Sequence, residues 1–268
     1  MDALHLTDRA VIALEGPEAR DFLQGLITND LGRLAPGRAL YAALLSPQGK
    51  ILFDFLIAEG DGALLLDVDA AKAAALAKKL ALYRLRAKVA IDPRPQLGVY
   101  VGLDSAAAAR AVTFADPRLA ALGPRSIGAV AEMPSGLPGP AAYHALRRRL
   151  GVPEGADFGS DHVFALDAGL DELGAVAFDK GCYVGQELTA RMKHRGTARK
   201  RILPVTAAVP LPGPGTALAA DGAGLGELVS VYGTEGFALV RLDRLEGIKS
   251  PVTAEKIPVA LTRPAWLA

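Results

Sequence analysis

The residue pattern changes near residue 200, and this change constrains the fold more than any other feature of the chain. From Arg201 the sequence runs RILPVTAAVPLPGPGTALAADGAGLGELV, in which short apolar runs are separated by proline and glycine. Short strand-forming runs with frequent turn residues are typical of a small all-β barrel or sandwich. The sequence therefore predicts a C-terminal β-barrel over residues 201–268, preceded by a separate domain over residues 1–200.

Strand and helix patterns alternate in the first 200 residues. Residues 39–60, ALYAALLSPQGKILFDFLIAEG, predict a hairpin whose turn contains Pro47 and Gly49. Residues 70–86 are rich in strong helix formers, and a second, shorter helix is expected around SAAAARAV at 105–112. Strands followed by helices in this order predict a compact α+β unit built on an antiparallel sheet.

The overall charge and the N-terminal residues limit the classes of protein to consider. The formal net charge is +1, which argues against nucleic-acid binding through overall charge and leaves a local basic patch open. The N-terminus carries Asp2, Asp8 and Glu15 and has no apolar run, so a signal peptide is not expected. The longest uncharged stretch, residues 202–220, contains four prolines, which excludes a membrane helix there.

A single cysteine, Cys182, stands in the segment KGCYVGQE at 180–187. One cysteine cannot form an internal disulfide, which fits a reducing compartment, and we expect a cytoplasmic protein. Lys180 precedes the thiol and a basic run follows it from Arg191 to Arg201; nearby cations favour the reactive thiolate. Two interpretations stay open. The cysteine is an inert side chain beside a solvated basic face, or it is reactive beside a site for a polyanion such as a glutamate-tailed cofactor or an RNA backbone.

Residues 178–196, FDKGCYVGQELTARMKHRG, resemble the signature of the YgfZ family of folate-binding proteins. The positions that match are Lys180, Gly181, Cys182, Tyr183, Gly185, Gln186, Glu187, Ala190 and Arg191. The segments ARDFLQGLITNDL, LLSPQGKILFDFLI and RRRLGVPE also fit the family, so the resemblance covers most of the chain. It implies that Cys182 is a candidate reactive thiol within a functional loop.

The resemblance also implies a fold and a function. The family is related to the T-protein of the glycine cleavage system, a tetrahydrofolate-dependent aminomethyltransferase. This kinship implies two interleaved sheet-and-helix lobes, the second roughly over residues 46–115, which form a ring of three lobes with the barrel around a folate site. The implied function is that of a folate-binding accessory protein for the maturation or repair of iron–sulfur enzymes, which in bacteria also affects tRNA modification. The expected partners are tetrahydrofolate or another folate, and iron–sulfur assembly proteins or client enzymes, with no membrane and no direct nucleic-acid contact.

Several residues are candidate folate contacts under this resemblance. They are Tyr143, Arg147, Arg149, Asn29, Asp30, Asp54 and Arg9. The aromatic ring could stack on the ligand, the arginines could meet its glutamate carboxylates, and the polar pair at a helix end could contact the pterin. For each of them a purely structural role, on the surface or as a helix cap, is the alternative.

The second function to consider is a tetrahydrofolate-dependent one-carbon transferase. Aminomethyltransferases typically carry two acids in the strand that matches ILFDFLI, where this chain has Phe53 and Asp54. A transferase needs a carboxylate near the folate nitrogen for proton transfer, so the loss of one acid argues against this reaction and the retained Asp54 keeps it open. Whether the protein is an enzyme stays open as well. The four histidines show no metal-binding spacing, and no metal site is predicted.

Overall fold

The computed structural model describes residues 2–159, 161–196, 199–245 and 247–267. They form two compact units. The first consists of Met1–Leu45, Phe53–His144 and Leu173–Val184, and the second consists of Ser46–Leu52, Ala145–Glu172 and Gly185–Ala268.

The strands and helices are numbered in chain order. The strands are β1 (Leu4–His5), β2 (Arg9–Glu15), β3 (Leu40–Leu45), β4 (Ile51–Gly60), β5 (Ala63–Asp69), β6 (Ala90–Pro93), β7 (Leu97–Val101), β8 (Val112–Ala115), β9 (Pro124–Ala129), β10 (Lys200–Ala207), β11 (Ala217–Ala220), β12 (Ala223–Tyr232), β13 (Glu235–Arg241), β14 (Val252–Ala254) and β15 (Ile257–Leu261). The α-helices are α1 (Ala19–Gln24), α2 (Ala70–Arg84), α3 (Ala141–Arg149), α4 (Gln186–Arg195) and α5 (Leu242–Leu245). Short 3₁₀ helices span Leu31–Arg33, Ala120–Leu122, Val130–Glu132 and Gly155–Phe158.

Two antiparallel sheets organise the first unit. The larger one has the strand order β3-β4-β5-β2-β6, and the smaller one has the order β1-β7-β9-β8. Helix α2 begins at Asp69, whose side chain accepts a hydrogen bond from the backbone N–H of Ala71 at 2.9 Å. Leu76 and Leu80 of α2 are fully buried in the same apolar cluster as Phe55 of β4. Apolar burial on one helix face therefore fixes α2 to the larger sheet.

The predicted hairpin and the long predicted helix are confirmed. The backbone N–H of Gly49 donates to the carbonyl of Ser46 at 2.8 Å, as the turn prediction requires. The short helix expected at 105–112 is wrong, because this segment forms turns. Asp104 accepts hydrogen bonds from the backbone N–H groups of Ala106 and Ala107, but an eight-residue alanine-rich segment is too short to offset the cost of helix nucleation.

The C-terminal strands close into the barrel that the sequence predicts. Their order is β10-β13-β12-β11-β14-β15, with β15 paired to β10. Leu203, Leu218, Leu228 and Val240 are buried in its apolar cluster. At Gly226 an added Cβ would lie 2.0 Å from the carbonyl oxygen of Leu239, so β12 and β13 can approach each other only with glycine there.

The strand pairing differs from the lobe that was expected over residues 46–115. Strands β4 to β6, which end at Pro93, pair with β2 and β3. Strands β7 and β8 lie in the other sheet with β1 and β9. This sheet is therefore assembled from distant parts of the chain, and local strand patterns do not identify such partners. The division into domains at residue 200 stays a prediction. Among the described residues no helix is long and apolar enough to cross a membrane.

Candidate functional site

The only cysteine lies in an exposed loop. Cys182 is a free, exposed thiol, and its neighbour Gly181 and the nearby Glu187 are exposed as well. Tyr183 is buried, and the Nζ atom of Lys180 lies 5.1 Å from the centroid of its ring. The loop therefore presents the thiol to solvent while the residue that follows the thiol holds the loop to the protein. An accessible sulfur is the first condition for contact with another molecule.

Lys180 fixes the loop two residues before the thiol. Its Nζ atom donates to the backbone carbonyls of Gln24, Ile27 and Asn29 at 2.7, 2.7 and 2.8 Å. The three donors of the ammonium group are thus matched by three acceptors in the segment after α1. Burial lowers the pKa of Lys180 to about 8, and the nearby carboxylate of Asp30 opposes this shift. The first signature residue is therefore an anchor for the loop.

Helix α4 follows the loop directly. It begins after Gly185, which has a φ of 82°, and ends at Gly196, which has a φ of 57°. These left-handed positions favour glycine at both helix ends. The side chain of Thr189 donates to the carbonyl of Gly185 at 3.1 Å. Gln186, Glu187 and Arg191 of the signature thus lie on a helix that the sequence analysis did not predict.

A partly buried pair of acids contacts the basic run that follows the cysteine. The Nζ atom of Lys193 lies 3.1 Å from a carboxylate oxygen of Asp171, and the guanidinium of Arg201 lies 2.9 Å from one of Glu172. Two of the cations in the run therefore have a structural role. Within the described part of the chain, no group of three His, Cys, Asp or Glu side chains could hold a metal ion.

The pKa values of the two acids are shifted in opposite directions. Burial, and then hydrogen bonding with Asp171, raise the pKa of Glu172. Burial alone would raise the pKa of Asp171, but its hydrogen bonds with Glu172 and Lys193 lower it below its usual value. One proton is therefore held preferentially on Glu172. Sequence analysis missed this pair, since two adjacent acids give no local sign of burial.

We expect the variant Glu172→Gln to gain stability relative to the unchanged protein as the pH rises above about 4.5, the ordinary pKa of the glutamate side chain. A raised pKa in the folded state means that the stabilising contribution of Glu172 is lost as the pH rises through that pKa, and glutamine does not titrate. Urea unfolding at several pH values measures the difference. Asp171→Asn is the matched control: it should lose relative stability as the pH rises towards about 3.8 and show no further change above that pH. Parallel pH profiles for the two variants would contradict the assignment.

A cavity of about 380 Å³ lies in the first unit. Asn29, Tyr41 and Asp116 line it, and Arg33 and Arg38 contribute cationic groups. The guanidinium of Arg33 lies 2.5 Å from a carboxylate oxygen of Asp179, and this pair is partly exposed. The cavity has a size that is usual for small-ligand sites, and the guanidinium group of Arg38 makes it suitable for an anionic ligand, whereas the charge of Arg33 is offset by Asp179.

Asn29 and Asp54, two of the residues expected to bind folate, meet at Tyr41. The side-chain amide of Asn29 donates to the backbone carbonyls of Tyr41 and Gly174 at 2.7 and 2.8 Å. The hydroxyl of Tyr41 donates to the buried carboxylate of Asp54 at 3.2 Å. Asp30 accepts from the backbone N–H of Gly32 at 2.9 Å, and this hydrogen bond is the main reason why its pKa is lowered. Asn29 thus lies at the cavity, while Asp30 caps the following 3₁₀ turn.

Arg9 and Tyr143 are brought together in a buried polar network. Asp67, which is fully buried, accepts from Nε of Arg9 at 2.6 Å and from Arg125. The hydroxyl of Tyr143 accepts from Arg125 at 2.5 Å and from Arg118 at 2.6 Å. Tyr143 and Arg125 are almost completely buried, so their contacts are those of a structural network. The structure gives Arg9 no exposed surface for stacking on a ligand.

Arg147 and Arg149, the two candidates on the last turn of α3, lie in different surroundings. Arg147 is buried, and its guanidinium contacts the carboxylates of Asp157 at 2.5 Å and Glu154 at 3.4 Å. Burial would lower the pKa of Arg147, but these two acids raise it above its usual value. Arg149 is exposed beside a cavity of the second unit. Arg147 therefore stabilises the fold, and of the two arginines only Arg149 has an accessible guanidinium.

Comparison with solved structures gives the class of protein. The glycine cleavage system aminomethyltransferase T from Bartonella henselae superposes with a TM-score of 0.75 at 16% sequence identity, over 99% of this chain and 86% of that chain. At this identity the likeness shows the fold alone, and it confirms the predicted aminomethyltransferase-like fold. Residues 199–268 match the family model of the CAF17 C-terminal beta-barrel domain. The chain thus has an aminomethyltransferase-like fold and a C-terminal barrel that matches that of CAF17.

Sequence relatives identify the family within this class. The human mitochondrial iron–sulfur cluster assembly factor IBA57 is 36% identical, over 97% of this chain and 84% of the human protein. The mouse protein is 34% identical over the same shares. The Neurospora crassa homologue is 36% identical over 78% of this chain and 56% of that protein. The chain belongs to the IBA57 family of iron–sulfur cluster assembly factors.

The expectation of a cytoplasmic protein is wrong by the same comparison. The human, mouse and Neurospora crassa relatives are all named as mitochondrial. A single free cysteine indicates only that thiols stay reduced. That property does not distinguish the cytoplasm from other reducing compartments, so the residues could not decide the location.

Proposed function

We propose that this protein assists the assembly of iron–sulfur proteins and that Cys182 contacts the cluster, its donor or its acceptor. The observation that carries the proposal is the exposed thiol of Cys182 on a loop fixed by Lys180. An anchored loop holds the sulfur in one place, and exposure lets another molecule reach it. The relatives that share most of this chain are named as assembly factors.

The number of thiols determines what kind of partner is required. An iron–sulfur cluster is usually held by about four thiolates, and this chain has one cysteine. Cys182 can therefore contribute at most one sulfur ligand, and the remaining ligands must come from a second molecule. The expected partners are iron–sulfur assembly proteins or client enzymes, bound transiently. In bacteria, an effect on tRNA modification would then be indirect, through an iron–sulfur enzyme.

A folate, such as tetrahydrofolate, is the second part of the proposal. The expectation comes from the resemblance to the YgfZ family, and the cavity lined by Asn29 and Tyr41 is the candidate site. Its volume of about 380 Å³ lies within the usual range of about 300–1,000 Å³ for ligand pockets. Arg38 would hold a glutamate carboxylate by charge-assisted hydrogen bonds. The donor set therefore fits a carboxylate-bearing ligand of this size.

A one-carbon transferase is the alternative, and Asp54 is the observation in its favour. Its carboxylate is buried and accepts a hydrogen bond from Tyr41, next to a wall of the candidate cavity. A transferase would use this carboxylate to hold a proton near the folate nitrogen. Turnover of an aminomethyl donor in the presence of tetrahydrofolate would favour this alternative over an accessory role.

Replacing the thiol tests the proposed role. We expect Cys182→Ala to reduce the activity of a four-iron enzyme more than tenfold in cells that depend on this protein. Folate binding measured by calorimetry and the thermal unfolding midpoint should be unchanged, because the exposed thiol makes few contacts. The thiol should also react with iodoacetamide in the folded protein within about tenfold of the rate of a free cysteine.

Ser105→Ala is the matched control, since it removes one γ atom from another exposed position. This control should leave the four-iron enzyme fully active. Full activity of the Cys182→Ala variant would refute a role for the thiol. Loss of folate binding without loss of enzyme maturation would instead remove folate from the proposal.

A further inference from the structure

The second unit contains a cavity that the proposed function does not use. It has a volume of about 380 Å³ and lies where the last turn of α3 meets β10 and β13 of the barrel. Its walls include Ala145, Pro204, Val205, Thr206, Arg149 and Thr262. From these residues we propose that the cavity binds a small carboxylate with an apolar body.

The floor of the cavity is apolar because its backbone groups are already paired. Val205 lies opposite Gly236 of β13 and Leu261 of β15 in the barrel ladder. The carbonyl of Pro204 accepts from the N–H of Thr262 at 3.0 Å, and proline has no N–H to offer. The floor therefore favours an apolar group and offers a ligand no strong backbone hydrogen bond.

Arg149 supplies the charge. It is exposed at the edge of the cavity, and within the described residues it takes part in no hydrogen bond or ion pair. Arg148 lies 3.0 Å from Glu235 and 4.8 Å from the ring of Tyr232, so its charge is offset within the protein. With one arginine neutralised, the cavity retains one net positive charge, which suits a monoanion.

Few free backbone carbonyls at the end of α3 compete with a ligand for the guanidinium of Arg149. Amide groups of Leu150, Gly151 and Val152 donate to carbonyls of that turn at 2.9 Å each. The partial negative charge of a helix C-terminus is thereby reduced by capping. The guanidinium of Arg149 and the hydroxyls of Thr206 and Thr262 can then all donate to one carboxylate. The shape and charge of the ligand follow from this arrangement.

Benzoate is the probe, since it combines one carboxylate with an apolar ring. The single tryptophan, Trp266, donates from its indole N–H to the carbonyl of Leu150 at 2.9 Å, one residue beyond Arg149, so its fluorescence should report binding. Benzyl alcohol, which has the ring without the charge, and inorganic phosphate, which has charge without the ring, are tested at equal concentrations. We expect saturable binding of benzoate, confirmed by calorimetry, and no saturation with either control compound.

The variants test the assignment of the charge. Arg149→Gln should weaken benzoate binding about tenfold or more, as expected for the loss of a charge-assisted hydrogen bond. Arg86→Gln removes an exposed arginine from the segment after α2 instead and should leave the affinity unchanged. Three results would overturn the proposal. They are benzoate binding by the Arg149→Gln variant as tight as by the unchanged protein, phosphate binding as tight as that of benzoate, and no saturation with benzoate up to about 20 mM, which would mean very weak binding. A folate that competes with benzoate would show that the site takes the glutamate tail of folate, and a folate that does not compete would show a separate site.

Discussion

The variant Asp67→Asn is expected to lower the free energy of unfolding by about 3–5 kcal/mol, because it removes the buried carboxylate that two buried guanidinium groups share. Asp67 is fully buried and receives hydrogen bonds from Arg9 and Arg125. Asparagine has the same shape but no charge, and its NH₂ group would face donors. Urea unfolding at neutral pH measures the loss.

The control for this variant lies two residues further along the same strand. Asp69 ends β5 and accepts one hydrogen bond from the N–H of Ala71, as the N-cap of α2. Asparagine is about as good an N-cap as aspartate, so Asp69→Asn should change the free energy of unfolding by less than about 0.5 kcal/mol. If the two variants were equally stable, the ion pairs of Asp67 would contribute little to stability.

The importance of Asp67 also shows what the sequence could not reveal. Arg9 and Asp67 are 58 positions apart, as are Asp67 and Arg125. An arginine near the N-terminus has no local sign of burial, since arginine is usually exposed. The resemblance placed Arg9 and Tyr143 among the candidate folate contacts, although both belong to a network that joins distant segments of the first unit.

The parts of the fold that follow from local patterns were predictable. The hairpin over residues 39–60, helix α2 and the barrel each carry a periodic pattern or turn residues within one short window. The pairing of strands within the two sheets was not predictable, because the residue pattern of a strand does not indicate which other strand it pairs with. Helix α4 could have been predicted, since Gln186–Arg195 is rich in helix formers and Gly196 follows as a C-cap. Because this segment carries many basic residues, it was instead interpreted as part of a loop.

For the candidate site, the sequence indicated the loop that carries Cys182, but it did not indicate the contacts that hold this loop to the protein. The segment KGCYVGQE stands out because it combines a lone cysteine with two glycines and a lysine. Gly185 adopts the left-handed conformation that favours glycine. That Lys180 reaches three backbone carbonyls more than 150 positions earlier depends on tertiary structure. The sequence thus indicated Lys180 as part of the site, but it did not indicate that Lys180 anchors the loop.

Lys180 is therefore the residue whose replacement should affect both stability and function. We expect Lys180→Met to lower the free energy of unfolding by about 2–3 kcal/mol at neutral pH, because the buried carbonyls of Gln24, Ile27 and Asn29 lose their donor. With its anchor removed, the loop should move more freely, and maturation of a four-iron enzyme should fall severalfold while Cys182 stays reactive towards iodoacetamide. Urea unfolding, enzyme activity in cells and alkylation rates measure the three effects.

The pH dependence of this variant separates the anchor from a simple loss of packing. The pKa of Lys180 falls from 10.5 to about 8 on folding, so between these pH values the unfolded state binds more protons and the unchanged protein gains stability as the pH rises. Methionine does not titrate, and the difference in unfolding free energy between the two proteins should widen from pH 8 to 10. Lys78→Met, which removes an exposed lysine of α2, should show neither the loss nor the widening. A constant difference across this range would mean that folding does not lower the pKa of Lys180, and an unchanged free energy of unfolding at neutral pH would contradict its role as the anchor of the loop.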